Sequence, residues 1–227
     1  TKSMFLNNAW YAASWAKDLP AGAPIAKTLL GEPVVLFRTA SGAPVALEDR
    51  CCHRAAPLSR GICLEDTIEC GYHGLRYDAT GACVHIPGQT HIPPRARVRT
   101  YPVCERWSTV WIWMGDPARA DHSKIPDYYW LDDPNWVAVR GCIPMRANYQ
   151  LLIDNLLDFT HVSYLHKNTL SADPAEAAVP VTVERSGDAV SVSRWILGLD
   201  APPLFAKAGG FDGKVDRWQT TTWRAPS

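Results

Sequence analysis

Four residues in the first third of the chain carry side chains that bind metals. Cys51 and His53 form the pattern C-x-H, and after sixteen intervening residues Cys70 and His73 form the pattern C-x2-H. Thiolate sulfur and imidazole nitrogen are ligands for both zinc and iron–sulfur clusters. Zinc sites of the Cys2His2 type usually pair like ligands, with the spacings C-x2–4-C and H-x3–5-H. Here each short segment holds one cysteine and one histidine, so the spacing departs from the usual zinc pattern.

A Rieske [2Fe–2S] cluster uses the same four ligands in another way. Two cysteines bind one of its irons and two histidines bind the other. Two matched loops, each supplying one cysteine and one histidine from opposite sides of a flat cluster, meet that requirement. The residues alone favour a Rieske cluster and leave zinc as the alternative.

A second group of polar residues lies in the segment 148–166, where the apolar spacing predicts a helix. Asp154, Asp158 and His161 fall at i, i+4 and i+7, and would share one helix face with Asn155 beside it. His166 follows His161 by five residues, so the two imidazoles would point apart on an ideal helix. They converge on one ion only if the helix loosens near its end, and a solvated polar face is the alternative interpretation.

The flanking sequence predicts an antiparallel β domain that presents the two Cys/His segments at one tip. Residues 33–37 and 45–47 read as a hairpin that leads into the first segment, and residues 75–77 and 82–85 read as a hairpin that follows the second. The sequence Gly-Asp-Pro at 115–117 breaks this pattern and predicts a domain boundary. We therefore expect domains at residues 1–115 and 116–227, the second with the helix followed by further strands.

Composition narrows the class of protein. Apolar residues make up 47% of the 227, enough for a sizeable core, and lysine plus arginine equal aspartate plus glutamate at 23 each. This balance favours neither nucleic acid nor an anionic membrane as a partner. The absence of a run of eighteen apolar residues and of an apolar signal core predicts a soluble, cytoplasmic protein. The five cysteines not assigned as ligands are expected to be small buried residues, with Cys52 a weak exception because its sulfur is expected near the cluster: Cys52, Cys63, Cys83, Cys104 and Cys142.

Both polar groups resemble one known family, the Rieske non-haem iron oxygenases. Residues 51–61, CCHRAAPLSRG, and 70–78, CGYHGLRYD, are similar to its C-x-H-R and C-x-Y-H-G loops. Respiratory Rieske proteins have an extra cysteine in each loop, where this chain has Ala56 and Tyr72. Residues 155–166, NLLDFTHVSYLH, resemble the family's N-L-x-D-x-x-H-x4-H segment, and the early N-A-W-Y segment resembles the vanillate- and dicamba-demethylase branch.

The resemblance implies an α+β fold, with an N-terminal antiparallel β Rieske domain followed by a helix-grip catalytic domain whose C-terminal part is expected to be missing. It implies a [2Fe–2S] cluster bound by Cys51, His53, Cys70 and His73. It also implies a mononuclear Fe(II) bound by His161 and His166, with Asp158 and Asn155 as the other polar residues of the catalytic centre. In the family, the aspartate at the position of Asp158 links an iron ligand to the Rieske histidine, here His73, of a neighbouring subunit.

The family's third iron ligand is an aspartate far downstream, which we expect beyond Ser227. The carboxylates after His166 are expected at the surface: Asp173, Glu176, Glu184, Asp188, Asp200, Asp212 and Asp216.

The implied function is that of a terminal oxygenase component that hydroxylates or O-demethylates an aromatic compound with O2. The implied partners are a reductase that takes electrons from NAD(P)H, or a ferredoxin, and two further copies of the chain in a homotrimer. Ring cis-dihydroxylation is the alternative within the family. Outside it stand a non-catalytic Rieske electron carrier and a zinc-stabilised binding module.

Overall fold

The computed structural model describes residues 5–226, which form two compact units. The first unit extends to Gly141 and the second runs from Cys142 to Ala225. The boundary predicted after residue 115 thus lies within the first unit, because the following segment packs on that unit's strands. The Trp10 indole donates a hydrogen bond to the Asp121 carbonyl at 2.8 Å and its ring meets His122 edge-on. The outer ends of the two predicted domains, residues 1–4 and Ser227, lie outside the described residues.

The first unit is built from short antiparallel strands. They are β1 (Ala9–Trp15), β2 (Ile25–Leu29), β3 (Glu32–Arg38), β4 (Pro44–Glu48), β5 (Ile62–Leu64), β6 (Thr67–Glu69), β7 (Arg76–Tyr77), β8 (Cys83–His85), β9 (Thr100–Tyr101), β10 (Val103–Arg106) and β11 (Thr109–Met114). Within the described residues they form three sheets, in the orders β1-β11-β10, β2-β3-β4-β9 and β5-β6-β7-β8. The two predicted hairpins correspond to β3–β4 and β7–β8.

Strand β3 is buried on both faces and separates two hydrophobic cores. Side chains alternate across a strand, so consecutive residues face opposite sides. Val35 and Phe37 pack in the core that also contains Cys51 and Cys70, whereas Val34 and Leu36 pack in the core beneath β1 and β11. The Cys/His segments are therefore anchored on a strand whose position is fixed from both sides.

The second unit has helices on a three-stranded antiparallel sheet of order β12-β13-β14. Its elements are α1 (Tyr149–Leu157), α2 (Val162–Leu165), β12 (Thr182–Ser186), β13 (Ala189–Asp200), α3 (Pro203–Gly209) and β14 (Lys214–Arg224). An antiparallel β domain followed by an antiparallel sheet with helices confirms the predicted fold class. No helix within residues 5–226 combines the length and apolar character needed to span a bilayer.

Candidate metal centres

The two Cys/His segments fold into matching turns. The Cys51 N–H donates to the Ala56 carbonyl at 2.8 Å, and the Ala55 N–H donates back to the Cys51 carbonyl at 2.9 Å. In the second turn the same two hydrogen bonds join Cys70 to Leu75 and Gly74, at 2.8 and 3.0 Å. The fifth residue of each turn, Ala55 or Gly74, has a positive φ, of 58° and 72°. The sequence pattern of one Cys and one His per segment thus becomes a pair of equivalent loops.

The turns bury their sulfur atoms and expose their imidazoles. Cys51 and Cys70 are only 3% and 1% exposed, and both belong to the same hydrophobic core. His53 and His73 are exposed, with ring centroids 4.7 Å apart. Like ligands are therefore paired, with the thiols inside and the imidazoles outside. This is the division that a Rieske cluster requires between its two irons.

Hydrogen-bonding groups lie beside the cysteine sulfur atoms of the two turns. The buried Tyr77 hydroxyl lies 3.1 Å from the Cys51 Sγ and 3.2 Å from the Cys52 Sγ. Burial raises the pKa of the Cys70 thiol, and the backbone N–H groups of Tyr72 and His73 act in the opposite direction. Cluster ligands are thiolates, which accept such hydrogen bonds. The turns therefore fit a [2Fe–2S] cluster in ligand type, burial and polar surroundings.

Cys52 and Cys142 correct the expectation for the spare cysteines. Both are exposed, whereas Cys83 is buried and Cys63 and Cys104 are partly buried. Cys52 is exposed because it lies in the turn between the buried Cys51 and the exposed His53, although its sulfur is 3.2 Å from the buried Tyr77 hydroxyl.

In the second unit, the single helix predicted through His161 is wrong. Helix α1 ends at Leu157, and Asp158 has extended backbone angles of −91° and 112°. The Asp158 carboxylate accepts from the Thr160 N–H at 2.8 Å and from the Thr160 hydroxyl at 2.6 Å. This local Asp–Thr turn competes with continued helical bonding, which is why the chain leaves the helix there.

The break brings the two histidines together. His161 and His166 flank the short helix α2, and their ring centroids are 5.5 Å apart. The Nδ1 atom of His161 is buried and has no hydrogen-bond partner. A buried polar atom without a partner is costly, and metal-binding histidines usually engage their second ring nitrogen with a carboxylate or carbonyl. The two imidazoles are therefore close enough to share a metal ion, and the second ring nitrogen of His161 would still need a hydrogen-bond acceptor.

Asp158 lies close enough to His161 for an electrostatic interaction. Its hydrogen bonds from Thr160 lower the pKa of the carboxyl, and the charge of His161 lowers it further. The side chain is exposed, and both hydrogen bonds that it accepts involve one oxygen, Oδ1. Asn155 is exposed on helix α1. No group of three or more His, Cys, Asp or Glu side chains is placed to hold one ion within residues 5–226.

Glu176 contradicts the prediction that the downstream carboxylates lie at the surface. It is fully buried, and its Oε2 accepts from the Arg217 guanidinium at 2.5 Å. Arg194, also buried, donates to the Glu176 carbonyl at 2.6 Å. Arg217 in addition donates to the Leu170 carbonyl at 2.8 Å, and the Leu170 N–H donates to the His166 carbonyl at 2.9 Å.

Glu176 and Arg194 are buried and Arg217 is partly buried, and the three charged residues form a network that links the sheet to the turn after His166. Its members are far apart in sequence and stand in no motif, so the sequence carried no signal for it. The network also explains the burial of Glu176, because a buried carboxylate requires a paired cation.

Two family profiles match the chain. The Rieske [2Fe-2S] domain matches residues 9–102, in the first unit, and the vanillate O-demethylase oxygenase C-terminal domain matches residues 145–227. The iron-sulfur subunit TsaM1 of the toluene-4-sulfonate monooxygenase system of Comamonas testosteroni is 48% identical, over 99% of this chain and 65% of that protein. The oxygenase component of dicamba O-demethylase of Stenotrophomonas maltophilia is 38% identical, over 98% of this chain and 66% of that protein. The chain thus spans about 65% of the length of these curated relatives.

Solved structures of dicamba monooxygenase are similar throughout the chain. The complex with 3,6-dichlorosalicylic acid has a TM-score of 0.92 at 37% identity, covering 98% of this chain and 66% of that one. The structure with non-heme iron and dicamba has a TM-score of 0.84 at 36% identity, covering 98% and 64%. Together with the two family profiles, these similarities confirm the resemblance in the motifs. The chain belongs to the Rieske non-haem iron oxygenases, in the branch that contains the vanillate and dicamba O-demethylase oxygenase components.

Proposed function

We propose that this protein is the oxygenase component of a multicomponent Rieske system that hydroxylates or O-demethylates an aromatic substrate with O2. The observation that carries the proposal is the presence of two different donor arrangements in one chain. The first unit holds the paired turns with buried thiols and exposed imidazoles, and the second holds the His161–His166 pair. An electron carrier needs only the first of these arrangements.

The proposed ligand assignment follows the donor types. Cys51 and Cys70 would hold one iron of the cluster, and His53 and His73 would hold the other. His161 and His166 would hold the mononuclear iron, the family's third ligand being a carboxylate. When bound, these groups supply one-electron transfer and O2 activation.

Asp158 is proposed to connect the two centres. The buried Nδ1 of His161 has no hydrogen-bond partner and, as an N–H, would need an acceptor, while an ionised carboxylate can accept from imidazole N–H groups on both of its sides. Its lowered pKa keeps the carboxyl ionised, as this role requires. The second imidazole would be that of His73 in a neighbouring subunit, which is why we propose a head-to-tail homotrimer. Asn155, one turn before Asp158, is proposed to line the same centre.

The reaction class follows from the relatives. The oxygenases named above act, by their names, on toluene-4-sulfonate, dicamba and vanillate. For a methoxy substrate the balance is Ar–OCH3 + O2 + 2 e⁻ + 2 H⁺ → Ar–OH + HCHO + H2O. The electrons would come from NAD(P)H through a reductase, with or without a ferredoxin. We propose a cytoplasmic location, where NAD(P)H and the reductase are both present.

Turnover under ¹⁸O2 tests this proposal. The protein is supplied with a reductase, NADH and, in separate reactions, vanillate and toluene-4-sulfonate. Monooxygenation places one labelled oxygen atom on the attacked carbon per turnover. With toluene-4-sulfonate the label stays in the hydroxylated product, whereas with vanillate it leaves in one formaldehyde, which is trapped before it exchanges with water. Two labelled oxygen atoms in a ring diol would support the dihydroxylase instead. Cluster reduction without oxygen consumption on any aromatic substrate would support an electron carrier and contradict the proposal.

A further inference from the structure

A concave surface lies beside the first Cys/His turn. It has a cavity volume of about 380 Å³ and is lined by Cys52 and His53 together with three exposed arginines, Arg50, Arg54 and Arg97. We call it the arginine groove. The second turn, Cys70 to Gly74, does not line it.

The arginine groove keeps its positive charge. Among the described residues, Arg50 and Arg54 have no ion-pair partner, and Arg97 donates only to the neutral Thr80 carbonyl, at 3.2 Å. Glu48 is the one carboxylate in the lining, so the groove carries a net charge of about +2. Two other arginines of the same unit are neutralised, since Arg76 pairs with Glu69 at 2.7 Å and Arg99 pairs with Glu32 at 2.8 Å.

The position of the groove separates two routes to the cluster. The arginine groove is lined by the exposed imidazole of His53. In the proposed function, electrons leave the cluster for the mononuclear iron through the other histidine, His73. The two rings are 4.7 Å apart, so either can serve as an edge of the same cluster. A partner in the groove would approach His53 from the side of the first turn, while His73 belongs to the other turn.

We propose that the arginine groove is the docking site of the electron donor, and that this donor is a protein with an acidic surface around its redox centre. This inference rests on the proposed function, because it requires the cluster. In each encounter the donor's reduced centre loses one electron and the cluster gains one, and no atoms are transferred. Transient redox complexes have small interfaces in which complementary charge speeds association, and the unpaired arginines match this mode of recognition.

The test measures how fast the cluster is reduced. The probe is a plant-type [2Fe–2S] ferredoxin of net negative charge, mixed in its reduced form with the oxidised protein by stopped flow. We expect the second-order rate constant to fall about tenfold in the double variant R50Q/R97Q at low ionic strength. The wild-type rate should also fall as salt is added, and this dependence should flatten in the variant. Arg119 is exposed and lies outside the groove, so R119Q is the matched control and should react like the wild type.

Uncharged, photoreduced 5-deazariboflavin reduces the cluster without docking, and should react equally with wild type and R50Q/R97Q. A variant that accepts electrons from ferredoxin at the wild-type rate overturns the inference, as does a wild-type rate that is independent of salt. A variant whose molecular mass in solution changes while its ferredoxin rate does not would mean that the groove contacts a second copy of the chain, which also overturns it. All of these outcomes leave the proposed function intact, whereas a protein without a Rieske spectrum contradicts both.

Discussion

The substitution Glu176→Gln removes the one negative charge of the buried network while keeping the size of the side chain. In the native protein the Glu176 carboxylate binds Arg217 at 2.5 Å, and Arg194 is held within the same buried region. The amide would leave the buried Arg194 guanidinium and the partly buried Arg217 guanidinium without a counter-charge. The loss should affect Arg194 more than Arg217, because the Nη2 atom of Arg194 already has no hydrogen-bond partner.

The expected cost is large relative to the stability of a domain. Removing one partner of a buried ion pair costs about 3–5 kcal/mol, because the remaining charge stays desolvated. Domains are stable by about 5–15 kcal/mol, so this loss is a large fraction of the total. For a domain of about 60–100 residues, 1 kcal/mol lowers Tm by about 4–8 °C, so the second unit's transition should fall by at least about 12 °C.

Urea unfolding followed by tryptophan fluorescence and by circular dichroism measures this change in free energy. Glu184→Gln is the matched control, since Glu184 is exposed on strand β12, in the sheet that carries Arg194 and Arg217. This substitution should change the free energy of unfolding by less than about 0.5 kcal/mol. Because the network continues through Arg217 to the turn after His166, Glu176→Gln should also weaken iron binding in the folded protein. A free energy of unfolding within about 0.5 kcal/mol of the wild type would refute the reasoning.

Three further predictions concern the metal centres and the cysteines. Asp158→Asn should keep both metal sites occupied but lower turnover by about 100-fold or more, because an NH2 donor replaces one of the two acceptor oxygens and cannot accept from an imidazole N–H. Metal analysis and oxygen uptake measure this, and near-normal turnover would contradict it. Tyr77→Phe removes the hydroxyl that lies 3.1 Å from the Cys51 sulfur and would donate to a thiolate there. The substitution should lower the reduction potential of the cluster by about 40 mV, the equivalent of about 1 kcal/mol for one electron, measured by spectroelectrochemistry. Iodoacetamide should modify exposed Cys142 at pH 8 well before Cys104, because burial raises the pKa of the Cys104 thiol and leaves less thiolate. Peptide mass spectrometry should show the rate of Cys104 modification increasing as the pH rises, and equal rates for the two cysteines at pH 8 would contradict the prediction.

Local patterns predicted the first unit well. The hairpins around Cys51 and Cys70 follow from β-branched residues and turn residues close in sequence, and the ligand spacing carries the geometry of the two turns. The end of that unit was harder to predict, because Asp121 and its neighbours are held by Trp10, more than a hundred residues earlier. Such a contact leaves no periodic trace.

The second unit shows two further limits of sequence patterns. The apolar stripe of α1 predicted a helix but not where it stops, because the Asp158–Thr160 turn depends on competition between side-chain and backbone hydrogen bonds. The burial of Glu176 depends on arginines 18 and 41 residues away. The general tendency of carboxylates to lie at the surface therefore gave the wrong prediction for this residue.

The central claim is that Cys51, His53, Cys70 and His73 bind a [2Fe–2S] cluster with mixed ligands. Its most direct test is pulsed EPR of the reduced protein together with analysis of iron, zinc and inorganic sulfide. The account predicts about two inorganic sulfides per chain and a cluster signal coupled to the nitrogens of two histidines, both couplings being lost or altered in His53→Ala and His73→Ala. Stoichiometric zinc with no inorganic sulfide, or a cluster signal without nitrogen coupling, would contradict it.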